Sequence, residues 1–79
     1  MFRELGRKEF EERFPDVDTY GLEQLMPVYL DNGVILTEHE WNGDVYTIGI
    51  REYKPVQVPD VTGEDGEVLQ WKIIGYEER

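Results

Sequence analysis

Two Asn-Gly pairs, Asn32-Gly33 and Asn42-Gly43, stand between runs in which apolar and polar residues alternate. Asn-Gly tolerates the positive φ angles of a tight hairpin turn, so it is the strongest short-range signal for two antiparallel strands. Each pair therefore predicts a register. A two-residue turn at Asn42-Gly43 sets Trp41 against Asp44, His39 against Tyr46, Thr37 against Ile48 and Ile35 against Ile50. A two-residue turn at Asn32-Gly33 sets Leu30 against Ile35 and Val28 against Thr37. Both registers place Val28, Leu30, Ile35, Thr37, His39, Trp41, Tyr46, Ile48 and Ile50 on one face, which predicts a three-stranded meander with that face inward.

The segments on either side complete the expected architecture. Phe2, Leu5, Phe10 and Phe14 fall on one side of a helical wheel, with charged residues between them and Pro15 as the boundary. Asp18 is placed to cap a second short helix with Leu22, Leu25 and Met26, which Pro27 ends. Pro55 and Pro59 confine Val56-Gln57-Val58 to an edge, a bulge or an extended connection. Residues 59–68, PDVTGEDGEV, read as a polar loop in which Gly66 supplies a positive φ. Val68 to Tyr76 reads as a last strand with Leu69, Trp71 and Ile73 on its core side. The expected class is α+β: one or two N-terminal helices on a four-stranded, mostly antiparallel sheet, with a small SH3-like barrel as the alternative. One domain over residues 1–79 is expected, residues 1–26 helical and 27–79 forming the sheet.

Composition narrows the chemistry. The chain has 79 residues and no cysteine, so thiolate metal sites and thiol nucleophiles are excluded. No apolar run approaches the roughly 20 residues of a membrane span, and the first residues lack the apolar centre of a signal peptide. A cytoplasmic, soluble protein is the expectation. Eighteen acidic against eight basic residues give a net charge of −10. Residues 1–14 carry four of each, so residues 15–79 hold the whole excess. Such a surface repels nucleic acid and anionic membranes and attracts basic partners over a Debye length of about 8 Å.

Several clusters invite a chemical reading. Glu38-His39-Glu40 holds the only histidine, but adjacent side chains on a strand point to opposite faces and cannot converge. His39 is therefore expected in the core and the glutamates outside. Asp16-x-Asp18-x-x-Gly21 begins like a calcium loop but has Tyr20 at the fifth position and Pro27 at the twelfth, where a bidentate glutamate is required. Gly63-Glu64-Asp65-Gly66-Glu67 reads as a solvated turn before it reads as a cation site. No phosphate loop, nucleophile elbow or dinucleotide fingerprint is present, and neither Thr37 nor Thr47 has a base beside it. No enzyme, metal or cofactor is expected.

What remains is the acid distribution. Glu38 and Glu40 on one strand would hold their carboxylates about 6.7 Å apart on one face, with Asp44, Asp65 and Glu67 on flanking turns. Tyr29 and Leu36 are expected on the same outer face, with Val45, Tyr53, Ile74 and Tyr76 near them. An apolar patch rimmed by carboxylates suits a protein-binding surface. The function expected is a non-enzymatic binding module that engages the basic surface of a nucleic-acid-handling protein. Its narrowest form is a phage or mobile-element inhibitor, of the anti-CRISPR or anti-restriction type, that imitates DNA. The alternative is a homodimer or structural subunit that buries the outer apolar face.

Overall fold

The computed structural model describes residues 1–79 and has an α+β architecture: one helix and two three-stranded antiparallel sheets. The first sheet is built from β1 (Glu4–Leu5), β2 (Val28–Leu30) and β3 (Ile35–Leu36); helix α1 (Arg7–Arg13) lies between β1 and β2 in sequence. The second contains β4 (Tyr46–Ile48), β5 (Arg51–Thr62) and β6 (Val68–Glu78). The expected four-stranded sheet is thus replaced by two smaller ones. They are joined where Phe2 and Tyr76 exchange two main-chain hydrogen bonds of 2.8 and 2.7 Å. Gly75 permits that approach, because a Cβ there would lie 2.8 Å from the Phe2 carbonyl oxygen and closer still to the Met1 side chain.

The N-terminal helix is shorter than its apolar spacing suggests. Phe2 and Leu5 lie on extended chain, since their main-chain groups are used by β6 and β2, and the helix starts only after Gly6. Phe10 is fully buried and stacks 5.1 Å from the ring of Tyr29. The second helix reduces to one 3₁₀ turn, Leu22–Leu25; Asp18 instead accepts a 2.9 Å hydrogen bond from the Tyr20 N–H.

The first hairpin corrects the predicted register by one residue. Asp31-Asn32-Gly33 is a three-residue loop, held by the Leu30 N–H on the Val34 carbonyl (2.9 Å) and by the Val34 N–H on Asn32 Oδ1 (3.1 Å). Tyr29 therefore pairs with Ile35 and Val28 with Leu36. A one-residue slip exchanges the faces. Leu36 turns inward beside Leu30, Tyr53 and Tyr76, the centre of the core, and Tyr29 is covered by α1. The outer apolar patch built on Tyr29 and Leu36 does not exist: both are buried, as are Val45, Tyr53 and Tyr76.

Residues 37–50 are also not one meander. Thr37-Glu38-His39-Glu40 closes on itself as a capping box, with Glu40 accepting from the Thr37 N–H (2.5 Å) and hydroxyl (2.6 Å). Asn42-Gly43 lies in a four-residue loop between the bridged residues Trp41 and Tyr46, where Asn42 Oδ1 accepts from the N–H groups of Asp44 and Val45. The chain turns again at Gly49-Ile50, pairing Ile48 with Arg51, which leaves Ile50 wholly exposed instead of in the core.

The prolines sit as edges and bulges permit. Pro55 and Pro59 both lie within β5, which β4 covers only as far as Tyr53, and the ladder to β6 is irregular at three points beyond Tyr53. The strand extends through Thr62, so the polar loop shrinks to residues 63–67, and Gly66 there has φ +83°. The molecule is elongated, 49 × 26 × 23 Å.

Candidate functional site

The long hairpin of β5 and β6 divides the molecule into a body and an arm. At its root Tyr53 and Tyr76 are buried in the core. Further out nothing covers it. Leu69 is 63% exposed, Trp71 54% and Ile73 49%, with Val61 and Ile74 also exposed. Leu69, Trp71 and Ile73 were expected against the core, and strand alternation alone cannot say what packs on a face. Cross-strand pairing places Gln57 beside Ile73 and Pro59 beside Trp71, so the arm presents a strip of aliphatic, aromatic and proline surface.

The acidic residues named from the sequence separate into two groups. Glu38 is exposed at the start of the 3₁₀ turn Glu38–Glu40. Asp44 is exposed in the next loop, where a shallow recess is lined by Trp41, Gly43, Asp44, Lys54, Pro55 and Gln57. Trp41 stacks 4.7 Å from Tyr46 and forms one wall. Asp65 and Glu67 occupy the tip of the arm with Glu64, and the Glu67 N–H donates to Asp65 Oδ1 at 3.3 Å. Six residues of extended chain from Gln57 to Gly63 set the tip about 20 Å from the recess. Glu40 belongs to neither group, because its carboxylate is engaged by Thr37. The expected pair of parallel carboxylates on one strand is absent, since Glu38 and Glu40 lie in a turn.

His39 is exposed within that turn and not buried, again because residues 38–40 are not strand. Nowhere do three histidine or carboxylate side chains gather at a spacing that could hold a metal ion. No helix is long and apolar enough to cross a membrane.

Ion pairing sharpens the electrostatics. Five of the eight basic side chains are tied to carboxylates: Arg7 to Glu11 and Glu23, Arg13 to Glu9, Arg51 to Glu78, Lys72 to Asp60 and Arg79 to Glu52. Glu64, Asp65 and Glu67 have no cation paired with them, so the tip carries uncompensated charge, whereas in the recess Asp44 shares the lining with the unpaired Lys54. The densest of the ion pairs is structural. Glu11 accepts from the Thr19 hydroxyl at 2.8 Å and from Arg7 at 3.0 Å, which holds its carboxyl below the usual range. Glu23, hydrogen-bonded to its own main-chain N–H and to Arg7, is held low as well. The cluster ties α1 to the 3₁₀ turn Leu22–Leu25.

The acids are legible in the sequence but the exposure of the apolar strip is not, although Leu69, Trp71 and Ile73 form an alternating set. The signal available was the length of the hairpin: eleven residues of β6 cannot all be covered by one short helix and a small sheet. Comparisons with protein-family models, with curated proteins and with solved structures return no match.

Proposed function

We propose that the chain is a protein-binding module whose contact element is the arm of β5 and β6. The observation that carries this reading is the exposure of Leu69, Trp71 and Ile73 on a strand otherwise anchored in the core. Aromatic and branched aliphatic side chains on a pre-formed ribbon lose little further entropy on binding, so they serve well as anchors. The uncompensated carboxylates at the tip (Glu64, Asp65, Glu67) lie at one end of that strip, with the exposed Glu38 and Asp44 toward its root, and they favour a partner with basic surface beside an apolar centre. The partner we propose is a nucleic-acid-handling protein. The narrower version, a phage or mobile-element inhibitor of the anti-CRISPR or anti-restriction type acting as a DNA mimic, is supported by the net negative charge alone. Here the carboxylates would have to act as two separated groups, not as one row.

The test is capture of a partner from native host extract by the purified chain, repeated with two double variants. Leu69→Ser with Trp71→Ser should reduce capture at least about tenfold, as loss of a hot spot does. Asp65→Lys with Glu67→Lys should reduce it most at low salt. Capture that is indifferent to the apolar double variant would overturn the reading.

A further inference from the structure

The two strands of the arm each have a free side, and the two sides are unlike. Tyr76 directs both its N–H and its C=O to Phe2, away from β5. Pro55, opposite Tyr76, thus turns its nitrogen to the open side of β5, where it offers no donor. Pro59 follows four residues on, and Asp60 is skipped in the ladder. Proline and bulges are how an edge is closed to strand addition. The outer side of β6 is the reverse. It is occupied at Tyr76 and by nothing from Val68 to Ile74. That stretch, Val-Leu-Gln-Trp-Lys-Ile-Ile, has no proline, no glycine and one charge.

We infer that this edge of β6 pairs, antiparallel, with the same edge of a second copy about a two-fold axis at Trp71. Such pairing sets each residue against the one equally far beyond the axis in the other copy. The sequence reads alike in both directions from Trp71: Gln70 and Lys72, Leu69 and Ile73, Val68 and Ile74. Apolar therefore meets apolar, the two Trp71 side chains meet each other, and Gln70 of each copy meets Lys72 of the other. Neighbouring registers are worse. An axis at Lys72 sets two ammonium groups face to face. An axis at Gln70 sets Glu67 against Ile73, and an axis between residues puts the apolar face of one copy on the polar face of the other.

Register irregularities opposite Ile74 and Leu69 keep the paired stretch short. Pairing over so short a stretch does not exceed the roughly 1,000 Å² at which specific association begins, so the dimer is weak and concentration-dependent. Pairing by edges leaves the exposed face of the arm open and doubles it into a four-stranded surface, so this inference goes beyond the partner reading and does not depend on it. Each copy carries a net charge of −10, so the two copies repel one another. The dimer is therefore strengthened by salt, whereas capture of a basic partner is weakened by it.

The experiment is sedimentation of the purified chain alone over a range of concentrations, in low and high sodium chloride. The expected result is a monomer–dimer equilibrium shifted toward dimer by salt. Gln70→Glu sets a carboxylate against Lys72 on both sides of the axis and should tighten the dimer about fivefold; Gln70→Lys sets ammonium groups together and should loosen it about as much. Both positions are exposed, and far-UV circular dichroism confirms that the fold is kept. A monomer at every concentration, or a dimer on which the two substitutions act alike or not at all, overturns the inference. Because the chain is measured alone, that failure would not touch the partner reading.

Discussion

The root and the outer half of the arm are made of the same two strands yet differ in what holds them. At the root, Tyr53 and Tyr76 join Leu30 and Leu36 in the core, flanked by Phe2, Val28, Tyr46 and Ile48. Five residues further out on β6, Trp71 has only the ladder and its strand neighbours. A two-stranded ribbon is marginal by itself, so the arm depends on the body as its anchor. The body, in turn, gains little from the arm. Burial is the mark of residues that stabilise, and its absence on an anchored strand leaves residues available for other work.

The largest effect that can break this comparison is a matched pair of truncations. Leu36→Ala should cost about 3 kcal/mol, the cost of emptying a closed core site. Leu69→Ala, on the arm, should cost under about 1 kcal/mol by the same urea titration. Comparable costs would mean that the arm is part of the cooperative core.

Next comes alkaline pH. Burial pushes the Tyr76 phenol up to about 12, with Tyr46 and Glu4 adding to the shift. Below pH 10 the phenol is neutral in both folded and unfolded chains, and no stability is lost. Between about 10 and 12 only the unfolded chain ionises, so stability falls by up to about 3 kcal/mol. Tyr46 is shifted the same way by burial and by Glu4. Unfolding midpoints measured from pH 9 to 12 should therefore drop, and Tyr76→Phe should make the drop smaller.

The smallest expected effect concerns the capping box. Glu40→Ala removes the acceptor of two hydrogen bonds from Thr37, which is buried, and should cost about 1 kcal/mol. Asp65→Ala, at the tip of the arm, should fall within about 0.5 kcal/mol of the wild type. Equal effects in thermal melts would show the tip to be stabilising and not merely exposed.

The sequence made the α+β class legible, along with the core position of Phe10 and Leu30, the edge character of the two prolines and the positive φ of Gly66. It misplaced faces wherever one turn residue was miscounted. Asn-Gly was read twice as a two-residue hairpin, but Asn32 and Asn42 each use Oδ1 to accept main-chain N–H groups, which builds longer loops. One extra residue then moved Leu36 from the surface to the interior, while Tyr29 keeps the face opposite Leu30 and is buried because α1 covers that face. The Thr-x-x-Glu pattern at Thr37–Glu40 was a readable capping signal, masked by the apparent alternation around it. Glu38, Asp44, Asp65 and Glu67 were correctly expected at the surface. Their division into two groups depends on the length of β5, which the prolines concealed.

The bridge between Phe2 and Tyr76 also bears on how the chain reaches its fold. Those residues are 74 positions apart, so bringing them together closes nearly the whole chain into one loop. Loop closure of that length offers no early reward. The hairpins can form first, each from residues close in sequence, and the seam between the two sheets is then made last. Folding should accordingly be set by that seam, and the outer arm, marginal without its anchor, becomes lastingly ordered only as the seam closes.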